Sequence, residues 1–278
     1  MDAPNAAMTD YWNAAGETWA RFQEQLDRQL APLGAEAMRR LPMKAGDRVL
    51  DIGCGCGGTT LALAAQVGPA GEALGVDVSE PMLQVARSRS AGAAGAAAAR
   101  FLRADAQTAD LPSPPFDAAF SRFGVMFFND PSAAFANIRK AMKPSAPLAF
   151  VSWLPFLDNP WLCDPMAAAQ DLLPPQAPPD PLAPGPFAFA DPGRVRSILT
   201  AAGFRDVAID RFDARIGGGT VEQTLDLTFR VGPLGAALRE RPDLADSVAE
   251  AVRSVLIGHD TPAGVKMLAA VWIVTAKA

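Results

Sequence analysis

The sequence predicts an α/β protein built on a doubly wound, mostly parallel sheet. Three observations carry that prediction. Short apolar runs alternate with helical patterns along the chain, the signature of a parallel sheet with crossover helices. A glycine cluster, Gly53-Cys54-Gly55-Cys56-Gly57-Gly58, directly follows one apolar run and precedes a helical one. Acids then stand at the ends of three successive apolar runs: Asp51, Asp77 and Asp105.

The elements follow in order. Asp10 to Leu30 places Trp12, Trp19, Phe22, Leu26 and Leu30 on one helical face, and a short helix is expected from Ala35 to Leu41. Asp47 to Ile52 reads as a buried strand, with a helix from about Thr59 to Val67 after the glycines. Ala73 to Val78 is the next strand; Ser79 with Pro81 marks the start of its helix. The Ala-rich stretch Ala91 to Ala99 gives no clear assignment. Strands are expected at Phe101 to Ala104, Phe116 to Ser121 and Leu148 to Trp153, with a helix over Pro131 to Met142. From Leu154 to Ala190 prolines crowd in, which reads as an insertion or lid over the C-terminal edge of the sheet, part helix and part extended, or as a plain surface loop. A helix (Pro192 to Ala202), a strand (Val207 to Phe212), a helical stretch (Thr220 to Ile257) and an apolar strand (Val271 to Ala276) complete the chain. The expected organisation is an N-terminal helical cap over 1–42, a ligand-binding core over 43–153, a Pro-rich insertion over 154–190 and the rest of the sheet with a helical insertion over 191–278.

Bulk properties narrow the function. The chain has 278 residues, 50% hydrophobic and 20% charged, with a formal net charge of −5. No Lys/Arg block appears, which argues against nucleic acid as a partner, because phosphate contacts need a basic patch. No apolar run reaches the roughly eighteen residues of a membrane span, and the N-terminus lacks an apolar signal core. Three cysteines give no disulfide framework and suggest a reducing compartment, so a cytoplasmic location is expected. Cys54 and Cys56 lack partners at zinc spacing and read as small fillers, and no metal site is expected. The one histidine, His259, reads either as a surface-turn residue or as a general base.

Glycines after a buried strand let a ligand approach the backbone at a helix N-terminus. Gly53, Gly55 and Gly58 satisfy G-x-G-x-x-G, and Asp77 lies where a ribose-binding acid is expected, so an NAD(P)-dependent oxidoreductase is a rival reading. Charge separates the ligands. Asp51 would repel a pyrophosphate at the mouth of the loop, whereas an acid there suits a ligand carrying an ammonium and a sulfonium. The oxidoreductase also lacks a Tyr-x-x-x-Lys pair.

At this point the sequence resembles the class I S-adenosylmethionine (SAM)-dependent methyltransferases. Val49 to Gly57 is similar to their first motif, Gly75 to Ser79 with Pro81-Met82-Leu83 to the second, Ala104-Asp105-Ala106 to the third, and Phe116-Asp117 with Phe120 to Phe123 to the fourth. Within that class the branch with the ubiquinone/menaquinone-type enzymes looks nearest. The resemblance implies a Rossmann-like sheet of seven strands with the last antiparallel, and SAM as cofactor. It implies that Gly53 and Gly55 line the methionine part, Asp77 holds the ribose, Met82 packs on adenine, and Asp105 with Ala106 meets its amino edge. The candidate cofactor-binding set is Asp51, Gly53, Cys54, Gly55, Asp77, Val78, Met82, Asp105, Ala106 and Ser121. Asp51 has a second reading, as an acid that orders the loop without touching the cofactor. Ser121 and Phe123 are expected beside the reactive methyl, with Trp12 and His259 as further candidates there. Ser121-Arg122-Phe123-Gly124 departs from the N-P-P-[YF] pattern of amide and adenine methylation, which argues against DNA or glutamine targets.

The expected partner is a small, largely apolar or aromatic acceptor, and a homodimer is left open. Its pocket is expected between the N-terminal helix, Phe123 and the Pro-rich insertion, with Trp153 and Trp161 on its walls. A SAM-binding protein that does not methylate is a third reading.

Overall fold

The computed structural model describes residues 5–91, 98–112, 114–175 and 180–278. Seven strands form one sheet among these residues: β1 (Arg48–Ile52), β2 (Glu72–Asp77), β3 (Ala98–Arg103), β4 (Ala118–Arg122), β5 (Pro147–Trp153), β6 (Arg205–Gly217) and β7 (Lys266–Lys277). Their order is β3-β2-β1-β4-β5-β7-β6. The pairs from β3 through β5 are parallel, and β7 runs antiparallel to both β5 and β6. The doubly wound sheet with its last strand antiparallel is therefore as the sequence predicts.

The central strands are covered on both faces, so they read as unbroken apolar runs rather than alternations. Val49, Leu50 and Ile52 are buried in β1, and Leu148 to Val151 in β5. Helices α3 (Gly58–Val67), α4 (Glu80–Ala91), α5 (Pro131–Lys140) and α7 (Pro192–Ala201) supply the crossovers. Because β2 lies on one side of β1 and β4 on the other, the strand order reverses between β1 and β4. That switch point is where ligands bind in open α/β sheets.

The structure refines three expectations. The N-terminal helices are α1 (Ala6–Arg21) and α2 (Gln23–Arg39), parted at Phe22 and not near Pro32. Pro32 sits inside α2 on its exposed side. A mid-helix proline costs about 3 kcal/mol, but Leu26, Leu30, Leu33 and Ala37 are all buried along the same helix, and their packing outweighs it. Strands β6 and β7 extend well past Val207 to Phe212 and Val271 to Ala276: Asp213–Gly217 pairs with Lys266–Ala270. The exposed charges Asp213 and Arg215 mask the extension, because β6 is an edge strand with one wet face. The stretch Thr220 to Ile257 is three helices, α8 (Val221–Arg230), α9 (Pro233–Glu240) and α10 (Ala245–Ile257), broken at Gly232-Pro233 and at Pro242.

The Pro-rich segment is part helix, as expected. It holds a helix, α6 (Pro160–Ala169), which shares a second hydrophobic cluster with α8, α9 and α10 through Ala169, Leu173, Leu225, Leu234, Leu238, Val248 and Val252. The insertion thus packs together with the helices that precede β7. The Ala-rich stretch lies mostly outside the described residues.

Candidate functional site

The loop after β1 is built for close approach. Gly53, Gly55 and Gly57 have φ of 67°, 53° and 79°, a region that costs other residues energy. A Cβ on Gly53 would lie 2.6 Å from Gly124 Cα, so the loops after β1 and β4 touch backbone to backbone at the switch point. Val76 O accepts from both Gly53 N and Cys54 N. Asp77, 8% exposed at the end of β2, clamps the loop from the other side: Oδ2 accepts from Gly55 N at 2.8 Å and Oδ1 from Ser79 N at 2.9 Å. Burial raises its pKa, and the N–H groups of Ser79, Gly55 and Val78 oppose that rise.

Asp51 is fully buried behind this loop and off the cavity wall. Its Oδ2 accepts from Thr59 and Thr60 hydroxyls, each at 2.6 Å, which ties β1 to the first turn of α3. Burial pushes its carboxyl up from 3.8 to about 6, against the pull of the two threonines and of Arg122. A carboxyl whose folded pKa is raised costs stability when ionised, so folding is favoured below about pH 4 and that advantage is lost as pH rises through 6. The shift corresponds to roughly 3 kcal/mol. Asp51→Asn keeps an acceptor for both threonines and does not ionise. Urea unfolding is expected to show the wild type losing about that much relative to the variant between pH 4 and 7; parallel pH profiles would mean that Asp51 ionises without cost.

One cavity of about 580 Å³ opens at the switch point. The strand order sets the layout of its lining: Val78, Met82, Asp105 and Ala106 follow β2 and β3 at one end, with Asn5 beside Asp105; Gly53, Cys54 and Gly55 follow β1 in the middle, clamped by Asp77; and Phe123 and Trp153 stand at β4 and β5 at the other end, with Trp161 on Trp153 and Trp12 against Phe127. Phe123 has a φ of 65°, a strained conformation for an aromatic residue, held by Phe123 N donating to Val151 O at 3.1 Å. Its ring stacks on Trp153 with centroids 4.0 Å apart and planes at 11°. Trp153 packs on Trp161 at 5.1 Å, and Trp12 meets Trp19 and Phe127 edge-on at 5.4 and 4.8 Å.

The structure therefore brings most of the expected residues to one space and leaves others outside it. Ser121 is fully buried behind the wall: its hydroxyl donates to Ile52 O at 2.7 Å and accepts from Gly124 N at 3.2 Å, so it pins the Phe123 turn to β1. His259 is off the cavity, in the turn after α10, with Nε2 3.8 Å from Asp164. Neither is placed to touch a reacting group. In the insertion, Phe187 lines the cavity and Phe156 packs edge-on behind it. Burial pushes the Cys54 thiol well up and Cys56 up to about 12, so both stay protonated at neutral pH.

Sequence reasoning missed three features. Leu227, Val231 and Leu234 of the α8–α9 region, with Met267, close the aromatic end. The Thr220–Gln223 capping box was the legible signal for that helix start. Asp27 and Arg122 also line the cavity. The Asp27 carboxylate accepts from Gln23 Nε2 at 2.7 Å and Arg122 Nη2 at 2.9 Å, and pairs with Arg89 Nη2 at 3.0 Å. Burial works to raise its pKa, but the charge and hydrogen bond of Arg122, with Gln23 and Arg89, hold it below the usual value. A Cβ on Gly58 would lie 2.6 Å from Asp27 Oδ1, so this carboxylate covers the first residue of α3. The third feature is Asn5, at the start of α1, beside Asp105.

Residues 49–145 match the model of a methyltransferase domain. The 2-phytyl-1,4-naphtoquinone methyltransferase of Synechococcus elongatus is 35% identical over 108 residues, 39% of this chain and 46% of that protein. The Nocamycin O-methyltransferase of Saccharothrix syringae is 25% identical over 209 residues, 72% of this chain and 74% of that protein. Among solved structures, the YcgJ protein of Bacillus subtilis superposes with a TM-score of 0.57 at 17% identity, over 87% of this chain and 96% of that one, which shows a shared fold. The chain spans about half the length of the first of these curated relatives. Over this stretch the chain is similar to methyltransferases, the quinone methyltransferases among them.

Proposed function

We propose that the chain, carrying this domain, transfers the methyl group of SAM to a small, largely apolar or aromatic acceptor. The observation that carries the reading is that one continuous cavity joins a polar, acid-bearing end to an aromatic end. Its volume of about 580 Å³ suits small-molecule ligands.

The residues present fit the cofactor. Asp77 lies where it would accept from the ribose hydroxyls. Val78, Met82, Asp105 and Ala106 would surround adenine, and the Gly53–Gly55 backbone would take the amino-acid end. When bound, SAM supplies a methyl already activated by a sulfonium. The protein's task is then alignment and exclusion of water. The strained Phe123 and the stacked Trp153 form a rigid wall for a flat or apolar acceptor, and Trp12 closes it from α1. Aromatic faces also favour a nearby cation. The relative named for a phytylated naphthoquinone supports an apolar acceptor.

The dinucleotide rival meets an obstacle at α3. Its pyrophosphate belongs at that helix N-terminus, where the Asp27 carboxylate already stands. The Asp27 side chain would have to give up its bonds to Gln23, Arg122 and Arg89 before a pyrophosphate could seat there.

Transfer of labelled methyl from SAM to a panel of quinols, phenols and apolar amines, with RNA and protein as comparators, tests the proposal. Label is expected in a small apolar acceptor. Trp153→Ala is expected to lower acceptor kcat/KM by tenfold or more, as loss of a large buried contact does, with SAM affinity within about twofold. Label entering RNA or protein would contradict the acceptor class. SAM binding with no transfer to any acceptor would favour a non-methylating protein.

A further inference from the structure

We infer that Asn5, at the start of α1, reads the exocyclic amino group of the cofactor's purine, making the N-terminal helix part of the cofactor site. The inference rests on SAM being the cofactor, as proposed above.

Asn5 is 6% exposed and lines the cavity beside Asp105. Its Nδ2 donates to Asp105 Oδ1 at 3.4 Å. An ionised carboxylate only accepts, so the amide must turn its nitrogen towards Asp105, which leaves Oδ1 as the free atom. That oxygen is buried and accepts no hydrogen bond from any described residue. A buried acceptor left unmade is costly, and native structures supply it a partner.

The side chain is not doing the usual work of an asparagine at a helix start. It makes no capping bond to the first turn of α1. Asp105, by contrast, already accepts from Gln107 N at 2.9 Å and Thr108 Oγ1 at 3.4 Å as well as from Asn5. Asn5 Oδ1 is therefore the buried acceptor at this end of the cavity that has no partner among the described residues. An amino group on a purine held against Met82 and Ala106 is the donor it suits.

α1 is anchored to the same place by its other contacts. Ser79 Oγ donates to Trp12 O at 2.9 Å, and Glu80 N donates to Asn13 Oδ1 at 3.1 Å. Ser79 N is held by Asp77, the ribose candidate. One loop thus fastens both the ribose acid and the helix that carries Asn5.

The test compares S-adenosylhomocysteine with S-inosylhomocysteine by calorimetry, in the wild type and in Asn5→Leu. The inosine analogue carries a carbonyl where adenine carries the amino group, so Asn5 Oδ1 would face another acceptor. The wild type is expected to prefer the adenine ligand by about tenfold or more, and Asn5→Leu to cut that preference roughly fivefold, mainly through weaker binding of the adenine ligand. A merely structural role for Asn5 would weaken both ligands alike and leave the ratio unchanged, which would overturn the inference while leaving the cofactor in place. Failure of the wild type to bind either ligand would overturn the inference together with the proposed function.

Discussion

Gly53→Ala is expected to abolish cofactor binding, with S-adenosylhomocysteine affinity falling at least a hundredfold. Two costs combine at this position. A side chain at φ 67° carries a strain of about 1–3 kcal/mol. The new Cβ would also stand 2.6 Å from Gly124 Cα, and backbone does not yield as the tip of a long side chain does. The loops after β1 and β4 must part, which displaces Gly55 from Asp77 and Phe123 from Trp153 together. Gly46→Ala separates the two costs, because Gly46 has a φ of 88° but nothing within 4 Å of a Cβ. That variant is expected to lose some Tm and keep its affinity. Calorimetry giving Gly53→Ala an affinity within about threefold of wild type would remove the loop contact from the account.

Deleting residues 1–21 is expected to cost both cofactor binding and turnover. The sequence reading assigns the N-terminal helix to the acceptor pocket alone, which implies that a truncated chain still binds SAM. The structure gives α1 contacts at both ends: Asn5 at Asp105, Trp12 and Asn13 at the start of α4, and Trp12 against Trp19 and Phe127. Gly16 packs so closely that a Cβ there would lie 2.4 Å from Ser79 Oγ. Removing α1 opens the purine end to water as well as the aromatic end. S-adenosylhomocysteine affinity is expected to fall tenfold or more, the loss of one or two buried hydrogen bonds with their packing, and acceptor turnover to fall below detection. A truncated chain that binds the ligand normally but fails only in turnover would restore the narrower role.

These two predictions also mark what was legible in the sequence. The loop Gly53 to Gly57, with Asp51 before it and Asp77 one strand later, was readable because its chemistry is local: a strand, a turn and a helix start lie within one short run. Met82, Asp105 and Ala106 follow from the same repeated unit. Ser121 was misplaced because a hydroxyl at a strand end looks alike whether it faces the ligand or the neighbouring strand, and only the sheet register decides. His259 was a candidate through scarcity, and the fold carries it to α6 and away from the cavity. Asn5 and Asp27 were invisible as site residues because their partners, Asp105 and Arg122, stand 100 and 95 positions away. The α8–α9 wall was hidden for a related reason. Its apolar side covers both its own cluster with α6 and the cavity mouth, and helical periodicity alone does not apportion one face between two neighbours.

The central claim is that the site at the β1/β4 switch point takes SAM and not a dinucleotide. Thermal unfolding of the purified protein with SAM, S-adenosylhomocysteine, NAD(H) and NADP(H) tests it most directly. A ligand that binds only the native state stabilises it by about 2.7 kcal/mol at a hundredfold excess over its Kd, which raises Tm by several degrees for a domain of this size. SAM and S-adenosylhomocysteine are expected to produce that rise, and the nicotinamide dinucleotides none. A rise with NAD(H) or NADP(H), and none with SAM or S-adenosylhomocysteine, would contradict the account.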